Sequence, residues 1–226
     1  MPKCFDPQLD ILPAAQKEIW ASLSAAPRLS LVLYGGTAIA LHLGHRQSVD
    51  FDFFQTDSLD KAAIREAFPF LGDATVLQDA PNTLVVLAAM PSGTVKISFF
   101  GGIGIGRVNA PLQTRDGTLL VASLDDLMAT KLKTILDRAE AKDYRDIAQM
   151  ISAGVSLSAG LGAFKQMFKG EPAQVLRAIG FFKDGDLPML AKTDQELLRN
   201  ARDRVGEIPD VRLTPGSLAV PLGACE

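Results

Sequence analysis

The run from Leu31 to Phe54, LVLYGGTAIALHLGHRQSVDFDFF, constrains this chain more than any other stretch. A buried strand over residues 30 to 34 leads into Gly35-Gly36, and a short helix over 37 to 43 leaves that turn. Gly44 can close the helix in a left-handed conformation. A second strand over 49 to 54 carries Asp50 and Asp52. Side chains two apart on a strand share a face, so Val49, Phe51 and Phe53 are expected toward a core and the carboxylates opposite them. Two adjacent like charges on one strand face are costly unless a cation joins them. Glycines at a helix start admit a ligand to the backbone, and N–H groups of a first helical turn have no intrahelical acceptor. Together these features suit a divalent metal and a phosphate chain. The plainer alternatives are a turn needed only for packing and a pair of exposed strand charges.

The motif Gly35-Gly36-Thr37-Ala38, then His45-Arg46-x-Ser48-x-Asp50-x-Asp52-Phe53-Phe54, continues in Lys131, Arg138 and Lys142-Asp143-x-x-Asp146-Ile147. In this order the parts resemble the polymerase-beta-like nucleotidyltransferase superfamily, and most closely its AbiEii-type nucleotidyltransferase toxins of bacterial toxin–antitoxin systems. The resemblance covers roughly residues 30 to 150. It implies that Asp50 and Asp52 bind Mg²⁺ (or Mn²⁺) and that Gly35, Gly36 and Thr37 hold the phosphates of a nucleoside triphosphate. It also implies a functional lysine at Lys131 and a late aspartate at Asp146. The implied reaction moves a nucleoside monophosphate to a hydroxyl and releases pyrophosphate. The acceptor is tRNA in some relatives; a protein or a small molecule are the alternatives. A cognate antitoxin is the implied protein partner.

Other residues are read from their chemistry. Arg46 suits bidentate contact with phosphate. Ser48 shares a face with Asp50 if the strand already begins there, and can touch phosphate or metal-bound water. His45 fits a helix end, favoured there by the dipole, and His42 fits surface or packing. On a helix from Leu124, a step of 100° per residue places Lys131 between Leu124, Leu127, Met128 and Ile135, with Arg138 on the same face. These cations either snorkel to water or neutralise triphosphate charge, which makes Arg138 a candidate nucleotide contact. Asp143, Asp146, Ile147 and Met150 share one helix face by spacing. Asp143 either serves the site or pairs with Arg138 or Lys142, while Lys142 and Arg145 lie off that face. One departure stands out. The superfamily brings a third carboxylate from a neighbouring strand, and in Thr94–Phe100 that position holds Ser98. A serine is neither a base nor a strong metal ligand at neutral pH.

The remainder of the chain sets the frame. It has 226 residues, enough for one large domain or two small ones, and enough for a core without disulfides. Its two cysteines, Cys4 and Cys225, lie near the ends and suit a reducing cytosol. No signal peptide or membrane-spanning run is visible, so a cytoplasmic protein is expected. A net charge of −3 gives no general attraction to nucleic acid, so any RNA contact falls to a cluster such as Lys131, Lys133, Arg138 and Lys142. Helices are expected over 13 to 26 and 58 to 68, the latter opening at Ser58. Strands are expected over 74 to 78, 83 to 90 and 94 to 100, the last two joined as a hairpin by Pro91-Ser92-Gly93. Gly101 to Gly106 lacks the helix a dinucleotide fingerprint needs and reads as an exit from the sheet. Ser123-Leu-Asp-Asp126 is a capping-box start. Helices follow to about 138 and over 143 to 152, 157 to 169, 172 to 182 and 193 to 204, before a proline-containing tail. The expected fold is α/β: a palm-like mixed sheet with flanking helices over 1–122, then a helical domain with an extended tail over 123–226. Besides the nucleotidyltransferase, a non-catalytic nucleotide-binding module and a small-molecule adenylyltransferase are the competing functions; Ser98 supports the module.

Overall fold

A computed structural model describes residues 3–225. Eight strands form one mixed sheet: β1 (Cys4–Phe5), β2 (Val32–Tyr34), β3 (Asp50–Phe54), β4 (Thr75–Ala80), β5 (Thr83–Met90), β6 (Gly93–Phe100), β7 (Leu112–Thr114) and β8 (Leu120–Val121). Their order is β1-β7-β8-β2-β3-β6-β5-β4. Three pairings are parallel, β1 with β7, β8 with β2 and β3 with β6, and the others are antiparallel. Three helices belong to the same unit: α1 (Ala14–Ile19), α2 (Gly35–Leu43) and α3 (Lys61–Ala67). Five more follow: α4 (Leu124–Asp137), α5 (Ala141–Ser152), α6 (Leu157–Phe168), α7 (Pro172–Ile179) and α8 (Lys192–Asp203). The chain divides into two compact units. The first comprises Met1–Gly106, Ala110–Ser123 and Pro215–Glu226, and the second Arg107–Asn109 and Leu124–Thr214.

The α/β class and the helical second half are those expected. The alternation of β3 explains why the sheet has a dry side. Phe51 and Phe53 are fully buried and stack in series with Phe99 and Phe68, at centroid distances of 6.3, 5.6 and 5.6 Å. Such aromatic pairs add about 0.5–1.5 kcal/mol each beyond the area they bury. Trp20 reaches the same cluster, 6.4 Å from Phe51, and its indole N–H donates to Asp116 at 2.7 Å. The β5–β6 hairpin forms with its turn at Pro91-Ser92, as the sequence indicates.

Several boundaries differ from expectation. Val49 is not a core residue: it precedes β3 and is 60% exposed, because the strand begins only at Asp50. The helix expected over 13 to 26 is α-helical only to Ile19 and continues as a 3₁₀ run, Trp20–Leu29, with Pro27 inside it and Ser30 left-handed at its end. The helix α3 opens at Asp60 rather than Ser58, since the Asp60 carboxylate accepts the Ala63 N–H at 3.0 Å and occupies the N-cap. The helix α2 starts at the glycines themselves, two residues early. The strands β1 and β7 have no counterpart in the sequence pattern, because two- and three-residue strands carry no periodicity.

The cysteines depart from the reading as thiols of a reducing cytosol: Cys4 and Cys225 are joined in a disulfide across a sequence separation of 221. Such bonds are characteristic of oxidising surroundings. The tail also adheres without it. The Gln113 side chain donates to the Gly223 carbonyl and accepts the Gly223 N–H, both at 3.2 Å. The Thr56 hydroxyl donates to Gly216 O at 3.1 Å and accepts from Leu218 N at 3.0 Å, and Leu218 is buried. No helix among the described residues is long and apolar enough to cross a membrane.

In the second unit α4 packs on α5, α6 and α7. The Asp126 carboxylate accepts the N–H groups of Val108 and Asn109 at 2.7 and 3.2 Å, which pins that three-residue segment to α4. Arg107 and Thr214 exchange backbone hydrogen bonds at 3.1 and 2.8 Å.

Two outcomes are expected. Reduction of Cys4–Cys225 by a dithiol removes a constraint of about 2–4 kcal/mol, which lowers Tm by roughly 5–15 °C in a chain of this size. Calorimetry with and without the dithiol reads this, and Cys225→Ser abolishes the response. Gln16 is 1% exposed and neither atom of its amide has a hydrogen-bond partner among the described residues. A buried unpaired amide costs about 1–3 kcal/mol, so Gln16→Leu raises the urea midpoint without changing the slope.

Candidate functional site

The first unit gathers most of the sequence-predicted residues at one place. From Tyr34 the chain turns into α2 with Gly35 at φ +75°, a left-handed conformation that favours glycine. A Cβ at Gly35 would stand 2.5 Å from a carboxylate oxygen of Asp52. A Cβ at Gly36 would stand 2.5 Å from an Arg46 guanidinium nitrogen and 3.1 Å from Ser48 Oγ. The absent side chains thus leave the space that Asp52, Arg46 and Ser48 occupy. Thr37 is buried, and its hydroxyl donates to the Asp50 backbone carbonyl, which ties the start of α2 to the start of β3. That hydroxyl is engaged in structure; the Thr37 backbone amide belongs to the first helical turn, whose N–H groups have no intrahelical acceptor.

The register of β3 sets the rest. Asp50 lies opposite Lys96 and Asp52 opposite Ser98 on β6, and Asp52 faces Tyr34 across β2. Asp50 is half-exposed, with an oxygen 3.8 Å from Lys96 Nζ. Ser98 is buried beside Asp52, so the strand and position suggested for a third carboxylate hold a hydroxyl. No residue of β6 is acidic, so no shift of register would supply one. No group of three or more His, Cys, Asp or Glu among the described residues is arranged to hold a metal. Two carboxylates on one face still fit Mg²⁺, which commonly takes one or two carboxylates and completes its shell with water and substrate phosphates.

His42 stacks on Phe5 at 4.3 Å, and its Nε2 lies 2.9 Å from the Ala122 carbonyl. Burial pushes its pKa below the ordinary value despite that hydrogen bond. It is a packing histidine. Ser48 precedes β3 and lies against Gly36.

The second unit holds Lys131, Arg138, Asp143 and Asp146. Helix periodicity places Lys131 on the buried face of α4 and the two aspartates on the buried face of α5. Lys131 is 5% exposed and does not snorkel: its ammonium lies 2.6 Å from Asp143 and 2.9 Å from Asp146, both fully buried. Arg138 reaches the same Asp143, with Nε at 2.8 Å and Nη2 at 3.3 Å, and lies 3.5 Å from Glu140. Lys142 pairs with Glu140 at 2.7 Å. Burial pushes the Asp143 carboxyl up, but the Arg138 hydrogen bond and the Lys131 charge outweigh it and hold it below the ordinary carboxylate value. Sequence spacing showed the shared face of Asp143 and Asp146; it could not show that one lysine sits between them.

A cavity of about 430 Å³ in this unit is lined by Arg138, Tyr144, Arg177, Phe181, Asp184 and Leu187, among others. The Tyr144 hydroxyl donates to Ala178 O at 3.3 Å, and burial with the charges of Asp184 and Asp143 pushes its pKa up to about 12. Nothing in the sequence pattern pointed to this cavity.

The sequence model of the family described as "Nucleotidyl transferase AbiEii toxin, Type IV TA system" matches residues 21–212. The chain belongs to this family. It is also similar to the uncharacterized protein aq_aa25 of Aquifex aeolicus (strain VF5), with 30% identity over 117 residues. That match covers 51% of this chain and 54% of the relative, so the chain spans about half the relative's length.

The glycine geometry yields a prediction. Gly35→Ala forces an L-residue into the left-handed region, costing roughly 1–2 kcal/mol per residue, and also drives a methyl onto Asp52. It is expected to lower Tm modestly and to weaken binding of a magnesium–nucleotide complex far more than Gly104→Ala, a glycine with open space around it. Calorimetric titration of both variants checks this.

Proposed function

We propose that the chain is a metal-dependent nucleotidyltransferase that moves a nucleoside monophosphate from a nucleoside triphosphate to a hydroxyl acceptor. The observation that carries this reading is the packing of Asp52, Arg46 and Ser48 into the space left by Gly35 and Gly36. It sets a carboxylate, a guanidinium and a hydroxyl beside the first turn of a helix, where phosphate is favoured.

In this reading Asp50 and Asp52 hold Mg²⁺ or Mn²⁺. The bound cation neutralises triphosphate oxygens and the leaving pyrophosphate. The amides of Gly35, Gly36 and Thr37 receive phosphate oxygens, and Arg46 adds a planar donor pair. Ser48 orients phosphate or metal-bound water. In the second unit, Lys131 and Asp146 are the functional pair the family resemblance implies, and Arg138 is a candidate phosphate ligand of that unit. The charges of Lys131, Arg138, Asp143 and Asp146 sum to zero, so this cluster supplies oriented charge rather than surplus positive charge. Phosphoryl-group chemistry of this type rests mainly on alignment and charge neutralisation.

The family description supports a toxin function with a cognate antitoxin as partner. In this reading tRNA is a candidate acceptor, and the net charge of −3 confines any RNA contact to local cations. Cytoplasmic placement follows from the need for nucleoside triphosphates, and the Cys4–Cys225 bond is the observation against it. One specific observation favours the non-catalytic module, namely Ser98 in the place of a third acid.

One experiment separates these readings. The protein is incubated with each radiolabelled triphosphate, Mg²⁺ and total RNA, beside Asp50→Ala. Label on RNA in the wild type, falling by about 100-fold or more in the variant because the metal grip is lost, supports the transferase. Label on a small molecule instead indicates the adenylyltransferase. Triphosphate binding without any transfer indicates the module, and neither binding nor transfer overturns the proposal.

A further inference from the structure

We infer that Lys96 takes the place of a second metal ion: its ammonium meets the nucleotide's phosphates beside Asp50, so the acid doublet takes a single divalent cation. The inference rests on the nucleotidyltransferase reading given above and specifies how that site is charged. Every residue it uses belongs to the first unit.

Lys96 lies directly opposite Asp50 in the parallel β3–β6 register, and Ser98 directly opposite Asp52. Paired residues of adjacent strands project to the same face, so Lys96, Ser98 and both acids share one side of the sheet. A second divalent ion on this face would need further carboxylate oxygens, and β6 offers beside the two acids only an ammonium and a hydroxyl. The Lys96 Nζ stands 3.8 Å from an Asp50 oxygen, and the two side chains are 43% and 37% exposed. No other acid lies within ion-pair distance of Lys96 among the described residues. At that distance the pair is too long for a hydrogen bond, and an exposed pair of this kind holds weakly. The stem of Lys96 is fixed by its place in β6, while the ammonium can turn from Asp50 to an incoming phosphate oxygen. Three donors on a point charge suit that contact.

Charge decides between one cation and two. Two carboxylates, an ammonium and one divalent ion carry the same net charge as three carboxylates and two divalent ions. The sheet thus presents the same charge to a triphosphate with one metal fewer. A second divalent ion beside Lys96 would bring like charges together with no added carboxylate, and that repulsion opposes its binding.

The test uses the full-length protein with Mn²⁺ and a non-hydrolysable triphosphate analogue. Bound Mn²⁺ is counted by electron paramagnetic resonance, and the Kd of the analogue is measured by calorimetry. The wild type is expected to bind one Mn²⁺ at saturating analogue, and Lys96→Glu, which adds a third carboxylate, to bind two. Lys96→Met keeps the stem and loses the charge. It is expected to weaken the analogue's Kd by about tenfold or more. It is also expected to tighten Mn²⁺ alone by about fivefold, because a nearby positive charge is gone. Lys96→Arg restores most of the affinity for the analogue. A lysine that only pairs with Asp50 would leave the analogue's Kd in Lys96→Met at the wild-type value, and that result overturns the proposal. Two Mn²⁺ in the wild-type complex also overturn it, a result that needs no variant to fold. Two Mn²⁺ together with label transfer lost in Asp50→Ala sink this inference and spare the transferase. One Mn²⁺ with a Lys96-dependent Kd and no transfer does the reverse, and a wild type that binds no analogue ends both.

Discussion

A carboxylate oxygen of Asp52 lies only 2.5 Å from where a Cβ of Gly35 would be, and the arrangement around β2, α2 and β3 depends on that close approach. Because Gly35 is left-handed, β2 can turn at once into α2 with no connecting loop. The first turn of α2 is therefore held at the level of Asp52, its neighbour across β2 and β3. Thr37 then fastens α2 to the Asp50 carbonyl. The glycines, Asp52, Arg46 and Ser48 are thus packed together, and neither glycine can gain a side chain without moving one of the others.

The two units treat charge differently. On the sheet the acids stay half-exposed, and Lys96 approaches Asp50 only to 3.8 Å, an exposed pair of the kind worth about 0–1 kcal/mol. Such a lysine is easily displaced, so it does not bar a cation from the doublet. In the helical unit the charges are buried, matched and joined by short hydrogen bonds. There the removal of one partner leaves another uncompensated, and the penalty is several times larger. The first arrangement leaves its charges open to exchange partners, while the second keeps a fixed geometry.

Much of the positioning was legible because it is local. The two-residue alternation through Asp50, Phe51, Asp52 and Phe53 gave one wet and one dry face, and the helical spacing of Asp143 and Asp146 gave a common side. What escaped is non-local or lacks periodicity. The lysine between the two aspartates comes from another helix. The Cys4–Cys225 bond joins the two ends of the chain, and nothing near either cysteine in sequence announces it. Val49 followed the alternation by rule, but the strand had not yet begun. The opening of α3 turned on which of two nearby polar residues captures a backbone N–H, and Asp60 rather than Ser58 does so.

Ser98 is the point at which the sheet departs from a three-carboxylate arrangement, and its neighbours explain what the departure does. It is buried against Asp52 on one side and opposite Val85 on the other. A carboxylate there would place a third like charge in a confined position and raise the pKa of at least one of the group. A hydroxyl instead can donate a hydrogen bond and leaves the doublet at two charges. Two charges suffice to hold a cation that brings its own phosphate ligands, but they leave no spare acid on this strand to take a proton from an acceptor hydroxyl. Holding a cation and taking a proton are therefore separable demands: β3 carries two carboxylates, and β6 carries no acid.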